Sequence, residues 1–188
     1  SNVAVTENAA MDLGASTIGG TANFNSTSNV ITDSGTLAIT GATTINAGTA
    51  DITLDQAAST FGALALTGAN VAVTENAATD LAASTVSGTL GVTSTGVVTD
   101  SGTLAITGAT TISASGQDIT LDEAASTFGT LALTGSNVAV TENAAMDLGA
   151  STIGGTANFN STSNVITDSG TLAITGATTI NAGTADIT

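Results

Sequence analysis

Apolar residues alternate with polar or small residues in short stretches along the whole chain. The pairs Val3/Val5, Leu37/Ile39, Ile52/Leu54 and Leu64/Leu66 each place two apolar side chains on one face, which predicts β-strands with one buried face. Gly, Asn, Asp and Ser separate these stretches and favour tight corners. The dipeptides Asn-Gly and Asp-Gly, which are typical of hairpins, do not occur. The pattern therefore predicts an all-β fold, a parallel β-solenoid (β-helix), with a sandwich-type repeat array as the alternative.

The chain is built from tandem repeats. Residues 1–53 recur without change at 136–188, and 69–135 is a diverged copy of 1–68 with one deletion opposite Asn29. The repeat units are therefore 1–68, 69–135 and a partial unit, 136–188. Because stacked repeats contact only their neighbours, we expect one continuous solenoid rather than separate domains. The chain begins and ends inside a repeat, so we expect it to be a segment of a longer protein.

A shorter period lies within each unit. Aligning the inward apolar residues Val5, Ile31, Leu54 and Val73 gives three spacings of unequal length. Their mean of about 22 fits a coil of three short strands. We therefore predict about three coils of ~19–26 residues in each unit of ~67 residues, and about eight coils in the chain. At ~4.8 Å between stacked strands, they form a rod on the order of 40 Å long.

Charge excludes several classes of partner. The chain has 15 Asp and Glu residues, no Lys, Arg or His, and a net charge of −15. Because no side chain can neutralise a phosphate, we expect no nucleic-acid partner. The absence of Cys leaves no disulfide and no thiolate metal site. No apolar run reaches the ~18 residues of a membrane-spanning helix, so we expect no membrane insertion.

The residue types present in the chain also disfavour catalysis. His and Cys, the usual general base and thiol nucleophile, are missing, as are Lys and Arg. Two carboxylates suffice for glycoside hydrolysis, but they must form one unique pair, whereas the carboxylates here recur from unit to unit. The sequence therefore predicts no enzyme activity, no catalytic residues, no metal ligands and no cofactor.

One acidic position recurs in the predicted coils. Two residues after each aligned apolar residue, seven of eight coils carry a carboxylate, which predicts a column of like charges that repel by about 0.8 kcal/mol per pair in water. Two interpretations stay open, a ladder of calcium sites with oxygen ligands and a solvated acidic edge. The eight positions are Glu7, Asp33, Gln56, Glu75, Asp100, Glu123, Glu142 and Asp168.

Two further sets of positions are interpreted as structural. Asn residues precede the Val-Ala-Val segments or occupy matching places in other coils, and stacked Asn side chains can form amide ladders. The middle unit carries Val92 where the first has Phe24. It also carries Thr79 where the first has Met11. Such variation is typical of packing or surface positions rather than of ligand anchors. The Asn positions are Asn2, Asn29, Asn70, Asn137 and Asn164.

The segments VTENAAMDLGASTIGG, ITDSGTLAITGATTINAG and DITLDQAASTFGALALTG resemble the haemagglutinin-type repeats of large secreted bacterial exoproteins, the filamentous-haemagglutinin-like adhesins of two-partner secretion. The resemblance covers the whole chain. It implies a right-handed parallel β-helix, export across an outer membrane as an unfolded chain, and a place at the bacterial cell surface.

These observations predict a non-catalytic structural segment of a giant extracellular fibrous protein, such as an adhesin shaft, a surface filament or a sheath. The alternative is an adhesive or carbohydrate-binding repeat module, in one form stabilised by calcium. Because a solenoid end exposes unpaired strand edges, we expect end-to-end stacking or filament growth. A cell-surface or glycan partner belongs to the alternative.

Overall fold

The computed structural model describes residues 1–188 and contains 25 β-strands. It has no helix, and so none that could span a membrane. The strands are β1 (Val3–Thr6), β2 (Met11–Leu13), β3 (Ser16–Ile18), β4 (Ala22–Asn25), β5 (Ile31–Asp33), β6 (Leu37–Ile39), β7 (Thr43–Asn46), β8 (Ile52–Leu54), β9 (Leu64–Gly68), β10 (Val71–Glu75), β11 (Thr79–Leu81), β12 (Ser84–Val86), β13 (Leu90–Ser94), β14 (Val98–Asp100), β15 (Leu104–Ile106), β16 (Thr110–Ser113), β17 (Ile119–Leu121), β18 (Thr130–Gly135), β19 (Val138–Glu142), β20 (Met146–Leu148), β21 (Ser151–Ile153), β22 (Ala157–Ser161), β23 (Ile166–Asp168), β24 (Leu172–Ile174) and β25 (Thr178–Asn181).

Strands stack in parallel, each on the strand one turn away. Val3 pairs with Ala22, Ala22 with Thr43, and Thr43 with Leu64, so that the chain returns to the same face after each turn. The next step on this face, from Thr67 to its partner Thr85, is shorter than these three. The stack has about nine turns of ~20 residues. The predicted parallel β-solenoid is therefore confirmed.

The internal alignment of the coils differs in part from the sequence prediction. Leu54 pairs with Val73 as predicted, but Val5 pairs with Phe24 rather than with Ile31. The longest predicted coil, from Val5 to Ile31, is therefore too long, and the chain has about nine coils rather than eight. The error arises because all three strands of a coil carry the same apolar alternation, so residues on different faces can be matched to each other.

The three strands of each turn form three faces, which we call the first, second and third face after β1, β2 and β3. The first face continues with β4 and β7, and the second with β5 and β8. The third continues with β6, whose Ala38 bridges to Thr60, and then with Asn76, whose amide donates to the Ser59 carbonyl at 2.8 Å. On the first face β9 is followed by β12, where Thr67 pairs with Thr85, so β11, which precedes β12 in the same turn, takes the third face. Strands β14, β17 and β19 stack on β11 in turn.

The repeated Val-Ala-Val-Thr segment lies on a different face in each unit. In the first unit it is β1, on the first face. In the second it is β10, which pairs with β8 and β13 on the second face. In the third it is β19, which pairs with β17 and β22 on the third face. One unit thus makes about three and one third turns of ~20 residues rather than three, so equivalent positions are rotated by about a third of a turn.

The interior is a continuous apolar core. Forty buried apolar residues form one cluster along the axis, because alternate residues of each strand point inward. Phe24 is 5% exposed and its counterpart Val92 2%, which confirms this variable position as a packing position. Thr79, the counterpart of Met11, is also buried.

Corners between the strands are tight. Gly48, which follows β7, has a φ of +58°, a conformation that L side chains rarely adopt. At another corner, a Cβ added to Gly102 would lie 2.3 Å from the amide nitrogen of Ala83 in the preceding turn. Consecutive corners therefore stack backbone on backbone, and a side chain at such a position would separate the coils.

Candidate functional site

The predicted acidic column does not run along the chain as one row. Because each unit is rotated by about a third of a turn, Glu7 follows β1 on the first face, whereas Glu75 ends β10 on the second face and Glu142 ends β19 on the third. The position that stacks on Glu75 one turn later is Ser94, and the one that stacks on Glu142 is Ser161. Like charges approach one another only between some neighbouring coils. Asp55 lies near enough to Asp33 to raise its pKa, and Asp122 and Glu123 do the same for Asp100.

Four of the predicted positions are buried rather than solvated. Glu142 is 0% exposed and Glu75 1%, and Asp33 and Asp100 are also buried. The prediction of a solvated edge is thus wrong for these four carboxyl groups. Glu7 is exposed although its surrounding sequence is the same as that of Glu142, because no coil of this chain precedes it. The remaining positions, Gln56, Glu123 and Asp168, are at least partly exposed.

Each buried glutamate completes the hydrogen bonding of the coil before it. Glu75 Oε1 accepts a hydrogen bond of 2.7 Å from the backbone amide of Phe61. Glu142 Oε1 accepts one of the same length from the amide of Phe128. In both cases the second carboxyl oxygen, Oε2, is buried without a hydrogen-bond partner. The carboxyl group therefore replaces a backbone carbonyl at a place where the ladder between two coils is interrupted.

Burial raises the pKa of both glutamates, but different groups oppose the rise. It raises the pKa of Glu142 to about 7, and the Phe128 amide alone opposes this rise. Burial also raises the pKa of Glu75, but here both the Phe61 amide and the Thr79 hydroxyl oppose it. The Thr79 hydroxyl acts from nearby, since neither Glu75 Oε2 nor Thr79 Oγ1 has a partner at full hydrogen-bond geometry.

The buried aspartates hold the chain that follows a strand in the next coil. Asp33 Oδ1 accepts a hydrogen bond of 2.9 Å from the Asp55 amide, and Asp100 Oδ1 accepts one of 2.9 Å from the Asp122 amide. Burial is the main cause that raises the pKa of both Asp33 and Asp100. These carboxyl groups thus cap loops, and they are not arranged around a shared ligand.

No group of three or more Asp or Glu side chains is arranged to hold a metal ion. A calcium ladder requires successive carboxylates to converge from neighbouring coils. No such group of side chains converges here, so the structure lacks the ladder geometry on which the calcium hypothesis depended.

The predicted column of Asn side chains is also replaced by another arrangement. The Asn70 side chain donates to Asp51 Oδ1 at 3.0 Å and accepts from the Thr89 amide at 3.1 Å. Asn137 makes the same bridge between Asp118 and Thr156. The ladder prediction is therefore wrong for these residues, which link three coils through Asp and Thr.

The other predicted Asn positions make different contacts. Asn2 accepts from the Thr21 amide at 3.0 Å. Asn29 and Asn164 donate to backbone carbonyls three and two residues before them. An Asn-to-Asn contact between coils does occur elsewhere, since Asn181 donates to Asn160 Oδ1 at 3.0 Å.

Sequence reasoning missed the partners of the buried glutamates. The Phe61 and Phe128 amides carry no side-chain signal, and they lie 14 residues before the glutamates that they contact. The exchange of Met11 for Thr79 between units was visible in the sequence, but its chemical meaning depends on the buried carboxyl group beside it.

The one pocket of the structure lies at the C-terminal end of the solenoid. It is a depression of about 220 Å³ where the core is open to solvent. Its lining includes Leu148, Ile166, Leu172 and Ile180, which are inward residues that lack a covering coil. It is therefore the open end of the core, with no convergent polar groups that would mark a ligand site.

Comparison with protein families gives one result. A family described as repeats of unknown function (DUF5649) matches residues 1–67, 68–134 and 135–188. No curated protein and no solved structure matches the chain. The three matched segments reproduce, within one residue, the units seen in the sequence.

Proposed function

The chain belongs over its whole length to this family of repeats, and we propose that it is a structural segment of an extracellular fibrous protein, such as an adhesin shaft, a surface filament or a sheath. The repeated β-solenoid fits a structural repeat protein. The location of this rod outside the cell is part of the proposal.

One observation carries the proposal. Parallel backbone pairing continues from Val3 in the first turn to Asn181 in the last, and the apolar core runs with it without a gap. Because each coil is stabilised by the two beside it, further units extend the rod without any change of design. Such a molecule provides length and stiffness.

The composition supports a place outside the cell. The chain has no Lys or Arg, so proteases that require a basic residue find no cleavage site. It also lacks Cys and needs no disulfide. The net charge of −15 keeps neighbouring rods soluble and apart. The resemblance to haemagglutinin-type repeats of secreted bacterial exoproteins points in the same direction.

Self-association at the ends of the isolated chain is part of the proposal. Val5 at the first turn and Ile187 at the last are 39% and 54% exposed, although equivalent positions inside the stack are buried. An exposed strand edge with apolar side chains favours pairing with another chain. We therefore propose that isolated chains associate end to end.

A second candidate is an adhesive or carbohydrate-binding module. The observation that favours it is the uncharged outer surface of β7 and β16, where Thr44, Asn46, Thr111 and Ser113 point outward. Hydroxyl and amide groups on a flat surface can bond to sugar hydroxyls. Outward carboxylates such as Asp12 lie on other strands.

Antibodies against this chain test the proposal on the cells that produce it. We expect labelling of intact cells, with electron microscopy showing the label along fibres. Labelling only after permeabilisation would contradict an extracellular role. A glycan-binding assay on the purified chain separates the two candidates, because a shaft predicts no binding and an adhesive module predicts binding to a defined sugar.

A further inference from the structure

Each junction between repeat units contains one buried glutamate. Glu75 bonds to Phe61 across the junction of the first and second units, and Glu142 bonds to Phe128 across that of the second and third. Both contacts lie beside a stretch without a regular strand, where Thr60 and Thr127 form only isolated bridges. Because a backbone amide there depends on a side chain for its acceptor, the junction is the place where stacking is most sensitive to the state of one group.

The carboxyl group at the junction is sealed from water. Oε1 is occupied by the amide, and Oε2 is buried with no donor. A neutral carboxylic acid tolerates this environment, whereas a carboxylate needs donors or water at both oxygens. The ionised group can obtain water at Oε2 only if the two coils move apart locally.

No cation can compensate for the ionised form. The chain contains no Lys, Arg or His, so the only groups that face Glu142 are acidic or neutral. Asp122 and Glu123 follow β17 on one side, β22 has no titratable residue on the other, and Asp147 lies in the next strand of the same coil.

The environment of Glu75 differs in two respects. Asp55 and Gln56 follow β8, where the later junction has Asp122 and Glu123, so one carboxylate fewer lies nearby. β13 contributes no titratable residue, and Asp80 lies in β11 of the same coil. Four positions after each glutamate, the residue is Thr79 in one unit and Met146 in the other, and both are buried. Thr79 brings a hydroxyl to the carboxyl group and Met146 does not.

We propose that these glutamates are pH-sensitive latches, which hold neighbouring units together while the carboxyl group is protonated and loosen the junction when it ionises. We further propose that the residue four positions later, Met or Thr, sets which junctions loosen first. The device goes beyond a static shaft and does not require an extracellular location.

Loosening of the junctions divides the rod into segments. Because a solenoid is stabilised by nearest-neighbour contacts, loosening one junction separates two blocks of ~67 residues without unfolding either. The Thr-containing junctions loosen at lower pH than the Met-containing junctions, since a hydroxyl near the carboxylate favours the ionised form. A rod with alternating units thus becomes flexible in two steps as the pH rises.

Selective isotope labelling measures the ionisation of the glutamates and the state of the Phe amides directly in the full chain. There are only four Glu residues and four Phe residues, so ¹³C-labelled Glu carboxyl groups and ¹⁵N-labelled Phe amides each give four signals. The Glu signals are assigned with Glu7→Gln, Glu75→Gln and Glu142→Gln, and the fourth signal then belongs to Glu123. We expect the Glu142 carboxyl group to titrate near pH 7, and that of Glu75 at a lower pH.

Amide exchange of the Phe residues shows whether the junction opens. After correction for the intrinsic effect of pH on exchange, we expect the protection of Phe128 to fall at least tenfold between pH 5 and about pH 8. Phe24 and Phe159 lie inside strands that pair on both sides and should keep their protection. A uniform loss at all four residues would indicate global unfolding and overturn the proposal.

Two substitutions at the residue four positions after each glutamate complete the test. Met146→Thr is expected to lower the pH at which Glu142 titrates, and Thr79→Met to raise it for Glu75. Glu7→Gln is the matched control, because Glu7 has the same local sequence as Glu142 but no coil before it. Titration of Glu142 well below pH 7, or unchanged midpoints in both exchanges, would overturn the proposal, and the wild-type titration decides even if a variant fails to fold.

Discussion

The carboxyl group of Glu142 accepts a hydrogen bond of 2.7 Å from the backbone amide of Phe128, in the coil that precedes it. Glu75 and Phe61 repeat this contact one unit earlier, on a different face of the solenoid. The side chain thus completes a ladder of backbone hydrogen bonds at each junction between two units. This contact explains why an acidic residue is retained inside an apolar core.

Stability of the chain is expected to fall as the pH rises from about 4.5 to about 7. Burial raises the pKa of Glu142 from 4.5 to about 7, so the folded state binds the proton more tightly than the unfolded state. The stability that comes from this bound proton is fully present below the unfolded pKa and is lost as the pH passes the folded pKa. The free energy of unfolding falls by about 3 kcal/mol in total.

Asp33, Glu75 and Asp100 act in the same direction, because burial raises the pKa of each. Denaturant unfolding followed by circular dichroism at pH 4.5, 6 and 8 measures the effect. A midpoint that stays constant or rises with pH would contradict it.

Gly102→Ala is expected to destabilise the stack by about 1–3 kcal/mol. The added Cβ would lie 2.3 Å from the Ala83 amide nitrogen, so two coils must separate at this corner. Gly91→Ala is the control, because its Cβ would meet only the Val71 carbonyl oxygen at 3.9 Å.

The control is expected to be neutral or slightly stabilising, since Gly is unfavourable inside a strand and the first unit has Asn23 at the same place. Thermal unfolding of the two variants measures the difference. Equal effects would show that close stacking of the corners does not limit the packing of the coils.

Asn70→Ala is expected to cost more stability than Asn2→Ala. Asn70 connects Asp51 to Thr89 across three coils, whereas Asn2 bonds only to the Thr21 amide. Losing the larger set of exposed hydrogen bonds should cost about 1 kcal/mol more. The two variants are compared by denaturant unfolding, and a larger loss in Asn2→Ala would contradict the bridging role.

The sequence predicted the strands and the solenoid well, because both depend on local patterns. The alternation at Ile52/Leu54 and at Leu64/Leu66 marks β8 and β9 directly. The number of coils in a unit was less accessible. The prediction assumed a whole number of coils in each unit. The additional third of a turn is visible only in the pairing of β10 with β8.

The buried site could not have been predicted from local sequence at all. Glu7 and Glu142 have the same neighbours in sequence, yet Glu7 is exposed and Glu142 is fully buried. The difference comes from the coil that stacks before each residue, and it is a property of the assembled solenoid. The same reason explains why the predicted acidic and Asn columns failed together.

The rotation of each unit by a third of a turn is tested most directly by distances between spin labels. The chain has no native Cys, so labels can be placed at two pairs of outward positions, Ala72 with Ala132 and Ala72 with Ala139. The first pair lies on one face, three coils apart, because Ala72 pairs with Gly91, Gly91 with Thr111, and Thr111 with Ala132. The second pair joins equivalent residues of successive units.

Three stacked coils correspond to a backbone separation of about 14 Å, so strong dipolar broadening is expected for Ala72 with Ala132. For Ala72 with Ala139 we predict a clearly longer distance, because the labels lie on different faces of the rod. The opposite result, with the equivalent residues close together and Ala72 with Ala132 farther apart, would mean that each unit makes three whole turns and would contradict the account.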